Sequence, residues 1–576
     1  MIRSGWFDRR ASAAGFLSTV VWFVVASAQN PAATYAMPAQ VSSRNAYVGN
    51  QACARCHSAI YASYQRTSMA RASGPAIDRF MPAEFTHKES GVHYRIYAEN
   101  GRAWLNFDRP GDPEVRGKRE LLYYIGSGRR GLTYLFETDG FLFESPVNWY
   151  ANKQIWDMTP AYQTAREVPL NLPAYTSCLH CHATGMQPPA PGTDNRYPEP
   201  PFTHNGVACE RCHGPGDAHV NGGAIVNPAK LTPARRDDIC MQCHLEANAS
   251  IERPGRHVYE FRPGDQLSDY AWYFLLVDAK GSGLGAVSQV EAFAQSECKK
   301  KSGDAMSCTS CHNPHQSPSE EDRVAFYRGK CLACHGADFA TRHHPDRSDC
   351  VVCHMPASAS TDIAHTEVTD HRIPRRPQVA PQLLQNSEQT SSSLPGLVLP
   401  RLVPFPDAKA APDLRDLALA WNSIAEKGMS VAEPQARELL SKAVKQLPDD
   451  PALLSALAYS EQRRGSTDHA RLLYQKALAL DPSLVDAATN LGVIEAQAGD
   501  LQDAVKLWQN AFQRTPARSS IGLNLARVYC AAGKFDEARA CTLRVLEFNP
   551  DLPSARKLMQ SLNRSPTSCG PSTTGK

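Results

Sequence analysis

The chain has little net charge for its length and few long apolar runs. Its 576 residues include 61 Lys and Arg against 58 Asp and Glu, which gives a formal net charge of +3. It also lacks a basic stripe interleaved with aromatic residues, so nucleic acid is not expected as a partner. Beyond the N-terminal segment, no stretch is apolar and long enough to cross a membrane as a helix. The length allows about three domains.

The N-terminal segment carries the long apolar run. Three arginines in the first ten residues precede a run from Ala11 to Ala28 that ends in Ala26-Ser27-Ala28. A positive flank, an apolar stretch and an A-x-A site predict a secretory signal peptide over residues 1–28. The alternative is an uncleaved anchor, the only case in which we expect contact with a membrane. We therefore expect export, either to the periplasm or to the cell surface.

The cysteines are patterned, and no Cys-x-x-Cys in the chain lacks a histidine directly after it. A disulfide needs no imidazole, and a structural zinc site has no use for a histidine fixed at that position. Chance predicts roughly 0.02 Cys-x-x-Cys-His motifs at this composition. The motifs are Cys53-Cys56-His57, Cys178-Cys181-His182, Cys209-Cys212-His213, Cys240-Cys243-His244, Cys308-Cys311-His312, Cys331-Cys334-His335 and Cys350-Cys353-His354. In each, the thiols bind the vinyl carbons of a c-type haem and the histidine binds its iron, which predicts seven covalent haems.

Residues 51–376 hold all seven motifs and are predicted to form one haem domain. Roughly one haem per 46 residues leaves too little protein for an ordinary core around each porphyrin. We expect the porphyrins themselves to form the core, stacked closely, with short helices and loops between them. Because each haem adds two propionates, the loaded protein is expected to be acidic.

The gap between the first two motifs has a different pattern. Apolar residues alternate on both sides of Asn100-Gly101 and of Asp139-Gly140. These are hairpin signals, and they predict a small antiparallel β insertion over about 84–165. We expect a lid that shields haem edges; a ligand site is the alternative.

The C-terminal part repeats with a period of 34 residues. Proline recurs at this spacing, and small residues and turn glycines keep the same period, which is typical of tetratricopeptide repeats. The prolines are Pro448, Pro482, Pro516 and Pro550. The prediction is an array over 411–564 with repeats at 417–450, 451–484, 485–518 and 519–552 and a capping helix at 554–562. The first repeat has Val431 where the turn glycine belongs.

Less ordered segments are predicted around these domains. They are an N-terminal linker at 29–50, a Pro/Ser/Gln-rich linker at 377–410 and a flexible tail at 565–576. The predicted fold class is mainly α: a multihaem domain with a small β insertion, followed by an α-solenoid. The concave face of the solenoid is expected to bind a partner protein or peptide.

Seven haems need further axial ligands, and eleven histidines lie outside the motifs in the haem region. The glycines before His219 let the backbone pass close to a porphyrin. His315 follows His312 by three residues, so it points towards a neighbouring haem. The candidate distal ligands are Met69, His204, His219, His315, His365 and His371. Of the adjacent His343 and His344, at most one is expected to bind iron, and His87 and His93 are expected to be ordinary residues of the β module.

The first motif differs from the others in its surroundings. Met69 lies twelve residues after His57, at helical spacing, and no histidine follows until His87. Thioether ligation would raise the potential of that haem. The alternative is an ordinary core methionine.

Several stretches resemble a known group of proteins. YVGNQACARCHSAIYASYQRTSMARA, GVACERCHGPGDAH and SCTSCHNPH resemble multihaem cytochromes related to hydroxylamine oxidoreductase and its tetrahaem electron acceptor. The segment from Cys308 to His335 resembles the doubled CXXCH motif, and the chain is similar to exported cytochromes that end in tetratricopeptide repeats. The resemblance covers about 47–376 plus the repeats, and it implies a mostly helical haem domain, electron transfer and sometimes one catalytic haem.

The chain departs from that group in two places. It has Ser68-Met69 where the family often has S-x-H after the first motif, and it has no Cys-x-x-Cys-Lys motif of the kind found in pentahaem nitrite reductases. Both departures weigh against catalysis.

Two functions follow from these observations. The first is a carrier that passes electrons between redox partners outside the cytoplasm, with no catalytic residue assigned. The second is an oxidoreductase that acts on a small nitrogen or sulfur compound at a five-coordinate haem, where a nearby His, Arg or Tyr donates protons. The surplus of histidines favours the carrier, and whether the chain is also an enzyme stays open.

Four cysteines remain outside the motifs. Cys530 and Cys541 lie on the two helices of one predicted repeat, and they form either a disulfide or two free thiols. Neither Cys298 nor Cys569 has an assigned role.

The haem count is directly testable. A pyridine haemochrome assay on the purified exported protein should give seven haems per chain, because each motif attaches one porphyrin covalently. A Cys350→Ser, Cys353→Ser double variant should give six. A count that stays at seven in this variant would contradict the assignment of the last motif.

Overall fold

A computed structural model describes residues 46–277, 284–343, 348–376, 401–407, 409–564 and 569. The predicted signal peptide and most of the predicted Pro/Ser/Gln-rich linker lie outside the described residues. None of the helices in the described parts of the chain is long and apolar enough to cross a membrane.

The largest β element is an antiparallel sheet of eight strands in the order β2-β3-β4-β5-β6-β7-β8, with β1 paired to β5. The strands are β1 (Ser73–Pro75), β2 (Ala83–Thr86), β3 (His93–Glu99), β4 (Arg102–Arg109), β5 (Asp112–Ile125), β6 (Gly131–Thr138), β7 (Phe141–Tyr150) and β8 (Ile155–Met158). This sheet is hereafter the β module. It begins before the predicted start at 84.

Both predicted hairpins are confirmed. Asn100 and Gly101 connect β3 to β4 with φ of 52° and 74°, and Asp139 and Gly140 connect β6 to β7 with φ of 53° and 80°. Two left-handed central residues define the turn that matches the twist of paired strands. Along β4, Ala103, Leu105 and Phe107 alternate inward and are almost fully buried, so one face of the module carries an apolar core.

The haem segment contains twelve short helices among its described residues, and seven of them carry residues of the Cys-x-x-Cys-His motifs. They are α1 (Asn50–Ala54), α2 (Ser58–Tyr64), α3 (Thr176–His182), α4 (Glu210–His213), α5 (Asp217–Val220), α6 (Pro233–His244), α7 (Gln289–Gln295), α8 (Glu297–Ser302), α9 (Cys308–Cys311), α10 (Arg323–His335), α11 (Ala337–His343) and α12 (Cys350–His354). Of the residues described between Ala292 and Arg376, Val368 is the one buried apolar side chain. Protein side chains therefore supply almost no core to this region.

Three small sheets accompany these helices. Their strands are β9 (Thr184–Met186) with β10 (Phe202–His204), β11 (Ala249–Glu252) with β12 (Ala271–Val277) and β15 (Arg401–Phe405), and β13 (Ala357–Ala359) with β14 (Glu367–Thr369). The strand β15 falls inside the predicted linker 377–410, so that prediction was wrong for its last part. Pairing with β12, from Tyr273 opposite Phe405 to Val277 opposite Arg401, holds this piece in place.

The C-terminal part is an array of paired helices, as the 34-residue period predicts. The helices are α13 (Leu414–Glu426), α14 (Glu433–Gln446), α15 (Pro451–Arg463), α16 (Thr467–Leu480), α17 (Val485–Ala498), α18 (Leu501–Arg514), α19 (Ser519–Ala531), α20 (Phe535–Phe548) and α21 (Pro553–Arg564). The alanines that recur every 34 residues are at most 3% exposed, because the second helix of each repeat packs through them; they are Ala436, Ala470, Ala504 and Ala538.

Turn glycines explain how each helix pair reverses. Gly465, Gly499 and Gly533 have φ of 85°, 93° and 72°, a conformation that glycine adopts without a steric penalty. The first repeat has no glycine at Val431, but Gly428, with φ of 103°, ends α13 three residues earlier. The degenerate repeat therefore keeps its turn by a shift in position.

The disulfide differs from the predicted candidate. Cys530 pairs with Cys569, with Cα atoms 5.9 Å apart, and Cys541 is a free thiol. Neither alternative given from the sequence holds, since Cys530 is bonded but not to Cys541, and its partner is a cysteine to which no role was assigned. The bond ties the tail to the last repeat.

The last repeat docks on the β module. The ring of Phe548 lies 5.3 Å from that of Phe143 and belongs to the core of the module. Asp551, whose side chain is 2% exposed, accepts a hydrogen bond from the Val168 backbone N–H at 2.7 Å and pairs with Arg109. A buried carboxylate with two charge-compensating donors fixes the relative position of the two domains.

The first repeat is anchored at the opposite end of the array. Asp416, on α13, is fully buried and accepts from Arg253 and from Arg415. Arg253 follows β11, so the same small sheet that takes up β15 also contacts the first helix of the array. The array is therefore held at both ends.

We predict that Asp551→Ala weakens the docking of the array. Arg109 loses its charged partner and the Val168 N–H loses its acceptor, which costs about 2 to 3 kcal/mol. Thermal unfolding of the haem-loaded protein should show a lower Tm.

The matched control is Asp503→Ala on α18. That carboxylate is 65% exposed and pairs with Lys506 at the surface, so its removal should change stability by less than about 0.5 kcal/mol. Equal Tm values for the two variants would contradict the role assigned to Asp551.

Candidate functional site

A cavity of about 1870 Å³ lies at the centre of the haem segment. It is lined by all cysteines and histidines of the second, fourth, fifth, sixth and seventh motifs, and by Cys212 of the third. The first motif lies outside this lining. The motifs that are spread over 177 residues of sequence, from Cys178 to His354, therefore converge on one space.

The charges around the cavity are strongly unequal. Three acidic residues line it, Glu144, Glu297 and Asp349, against nine basic ones. The basic residues are Arg129, Arg130, Arg211, Lys301, Arg323, Arg328, Lys330, Arg375 and Arg376. An excess of six positive charges is opposite in sign to the propionate carboxylates of haem, which form charge-assisted hydrogen bonds with Arg and Lys. The donor set and the missing apolar core both fit haem.

Four motif histidines face a second histidine ring. The ring centroids of His57 and His219 are 6.4 Å apart, those of His213 and His315 6.0 Å, those of His312 and His371 6.2 Å, and those of His354 and His343 6.0 Å. Two imidazoles that share one metal ion, with metal–nitrogen bonds of about 2 Å, have centroids about 6 Å apart. These four pairs have the spacing of bis-histidine ligation.

Hydrogen bonds orient several of these rings. Nδ1 of His213 lies 2.9 Å from the Val226 carbonyl oxygen, and Nδ1 of His371 lies 2.9 Å from the Thr369 carbonyl oxygen. The same contact joins His219 to Gly223 at 3.2 Å and His354 to Pro374 at 2.9 Å. An Nδ1–H that donates to a carbonyl fixes the tautomer and leaves Nε2 for a metal.

Burial favours the neutral form of three of these histidines. Desolvation lowers the pKa of His312, with the neighbouring His371 as a second cause, and desolvation likewise lowers the pKa of His371 and of His315. Neutral imidazole is the form that binds a metal ion. The electrostatics therefore agree with the geometry.

Three motif histidines lie differently. Among the described residues, His182, His244 and His335 have no second histidine ring at a comparable distance. Nδ1 of His244 lies 3.3 Å from Oε1 of Gln289, while His335 packs against Phe339 with centroids 4.9 Å apart. These positions do not repeat the paired arrangement.

The candidate distal ligands divide into two groups. His219, His315 and His371 lie opposite a motif histidine, as described above, and each faces the histidine of a different motif. His204 has a buried Nε2 without a partner in the described chain and lies beside Gly49, whose missing Cβ leaves room for its ring. Nε2 of His365 instead lies 2.8 Å from a carboxylate oxygen of Asp157.

Met69 is not placed beside the first haem site. It lines the central cavity, whereas the ring opposite His57 belongs to His219. A separation of twelve residues is compatible with one continuous helix from His57 to Met69, but α2 ends at Tyr64. His343, which the sequence left open against His344, lies opposite His354.

Cysteines of different motifs are neighbours. Thiols within hydrogen-bonding reach join the first motif to the third, the second to the fourth, the fourth to the fifth and the sixth to the seventh. The pairs are Cys53 with Cys209, Cys181 with Cys243, Cys240 with Cys308 and Cys331 with Cys350. Electrostatic contact of Cys212 with Cys243 and of Cys311 with Cys334 adds the remaining links. All seven motifs thus form one connected series.

Comparison with known proteins agrees with this division of the chain. Residues 150–214 match the family model described as cytochrome c554 and c-prime, and tetratricopeptide repeat models match residues 434–485, 455–521 and 495–562. The multihaem cytochrome MtrA of Shewanella baltica (strain OS185) is 25% identical over 183 residues, which are 28% of this chain and 52% of that protein. The chain thus spans about half the length of this curated relative.

Solved structures with some likeness to the chain include tetratricopeptide proteins. A crystal structure of MamA is 20% identical, covers 24% of this chain and 78% of its own, and has a TM-score of 0.22. PilF of Pseudomonas aeruginosa is 24% identical, covers 27% and 71%, and has a TM-score of 0.24. TM-scores this low support no conclusion.

The family matches and the motifs support a class of protein. The chain has the features of a multihaem cytochrome with covalently bound c-type haem, followed by tetratricopeptide repeats. Electron transfer and protein interaction are the functions that these two parts suggest.

We predict that His371→Ala creates one high-spin haem. Its ring is 6.2 Å from His312, so its loss leaves that iron without an opposite imidazole. Electron paramagnetic resonance of the oxidised protein should show a new high-spin signal of about one haem per chain.

The control is His257→Ala. This histidine lies 2.8 Å from a Glu252 carboxylate oxygen and stacks on Tyr259, away from the paired rings. Its spectrum should match that of the unmodified protein. Low-spin signals of unchanged size in His371→Ala would contradict the proposed ligation of one iron by His312 and His371.

Proposed function

We propose that this protein is a heptahaem c-type cytochrome that transfers electrons between redox partners outside the cytoplasm. The observation that carries the proposal is the connected series of motifs, in which every attachment site lies next to another. Haems attached at neighbouring thiols are themselves neighbours, which is what transfer between them requires. A chain built only for stability would not need seven redox centres in contact.

The paired histidines favour a carrier. Six-coordinate iron with two imidazoles changes its charge without gaining or losing a ligand, so the protein around it needs little rearrangement. Four of the seven motif histidines have the spacing for this ligation. We further propose membership of the hydroxylamine oxidoreductase superfamily of multihaem cytochromes, on the resemblance of the motif regions.

The array contributes the docking function in this proposal. Tetratricopeptide repeats present a concave face to a helix or an extended peptide, and the array here is anchored at both ends to the haem-bearing part. A partner bound to it would be held at a constant position relative to the haem series.

A second function is favoured by a specific observation. His182, His244 and His335 lack an opposite histidine ring among the described residues, and all three line the central cavity together with arginines. An open position on one iron is what an oxidoreductase for a small nitrogen or sulfur compound needs. In that case the residues near His244, such as Gln289 and Arg130, would face the compound.

The test is low-temperature electron paramagnetic resonance of the oxidised protein before and after addition of nitrite. Low-spin signals that nitrite leaves unchanged are expected of the carrier. A high-spin signal of about one haem that collapses with nitrite would overturn the pure carrier and establish the second function.

A further inference from the structure

One loop of the β module enters the central cavity. Residues 126–130, with the sequence Gly-Ser-Gly-Arg-Arg, connect β5 to β6, and seven of the module's residues from Ile125 to Leu132 line the cavity beside the haem motifs. A Cβ on Gly126 would lie 2.6 Å from the Gly131 carbonyl oxygen, and φ of Gly126 is 97°. Only glycine fits there, so the tight shape of the loop is set by its ends.

The loop presents two arginines to that space. Arg129 and Arg130 both line the cavity, and Nη1 of Arg130 donates to the Ala286 carbonyl oxygen at 3.1 Å. This bond holds the guanidinium in place and leaves its other N–H groups available. No ion pair to either arginine is found within the described part of the chain.

Arg130 lies close to two histidines that are candidate haem ligands. It acts electrostatically on His244 of the fourth motif and on His371, which faces the fifth. His244 is one of the three motif histidines without an opposite ring. Arg130 therefore lies beside one of the three haem sites without an opposite histidine, and Arg129 lines the same cavity.

We propose that Arg129 and Arg130 bind a carboxylate or small oxyanion at the fourth haem site. Guanidinium groups bind planar oxyanions through parallel N–H donors, and both arginines are exposed, so that an anion can reach them. Two sources share this chemistry: a haem propionate, or a free anion such as nitrite. The proposal deepens the proposed function, on which it rests only for the presence of haem in the cavity.

The experiment compares Arg130→Gln, Arg130→Lys and the double variant Arg129→Gln, Arg130→Gln in the haem-loaded full chain. Potentiometric titration without added anion measures the haem potentials, and nitrite titration followed by absorption measures anion binding. The matched control is Arg102→Gln on β4, an exposed arginine of the same module that pairs with Glu120.

The two sources give different results. Binding of a propionate predicts a lower potential for one haem in Arg130→Gln, with partial recovery in Arg130→Lys, because lysine keeps the charge but loses the parallel donors. Binding of a free anion predicts a nitrite response in the unmodified protein that weakens at least about tenfold in Arg130→Gln.

Other results overturn the proposal. It fails if the double variant has the same haem potentials and the same nitrite affinity as Arg102→Gln. It also fails if Arg130→Lys restores the potential in full without any nitrite response, since a general field effect would then suffice. A haemochrome count below seven would instead count against the proposed function, so the two failures are distinguishable.

Discussion

The haem segment has almost no apolar core of its own, and the rest of the structure depends on this constraint. Between Ala292 and Arg376 the described chain buries one apolar side chain, Val368, and α10 buries none of its 13 residues. Helices of this length are not stable in water without packing partners. The cofactors must therefore supply the packing, with covalent bonds to the cysteines and axial bonds to the histidines in place of side-chain contacts. The excess of positive charge around the cavity follows from the same cause, because a porphyrin core brings its own carboxylates.

Two domains with apolar cores of their own adjoin the haem segment. The β module has its own apolar core around Phe107, Phe136 and Phe143, and the array has cores along its repeats. They meet at Phe548 and Asp551, where an aromatic ring and a carboxylate of the array enter the module. The opposite side of the module carries the arginine loop into the cavity. One sheet therefore connects the haem sites to the tetratricopeptide repeats.

The sequence predicted features that depend on local chemistry. Asn100-Gly101 specifies a hairpin by its own backbone preferences, and the alanine at 470 specifies a helix crossing wherever the repeat lies. The sequence did not predict which residues far apart in the chain lie opposite one another. His371 faces His312, whereas His365 contacts Asp157, although the two histidines are only six residues apart. Their different partners depend on the path of the whole chain and not on the local sequence. The strand β15 and the Cys530–Cys569 bond were missed for this reason, since both are made by partners far away in sequence.

The uneven distribution of apolar core has a consequence for the order of assembly. The β module and the array bury enough apolar surface to fold from side chains alone, whereas the segment that carries the fifth to seventh motifs does not. Before porphyrin is attached, we expect that segment to be unfolded while the β module and the array are already folded. Its thiols are accessible at the stage when the attachment apparatus must reach them, and ligation itself then closes the structure. Maturation and folding are, for this part of the molecule, the same event.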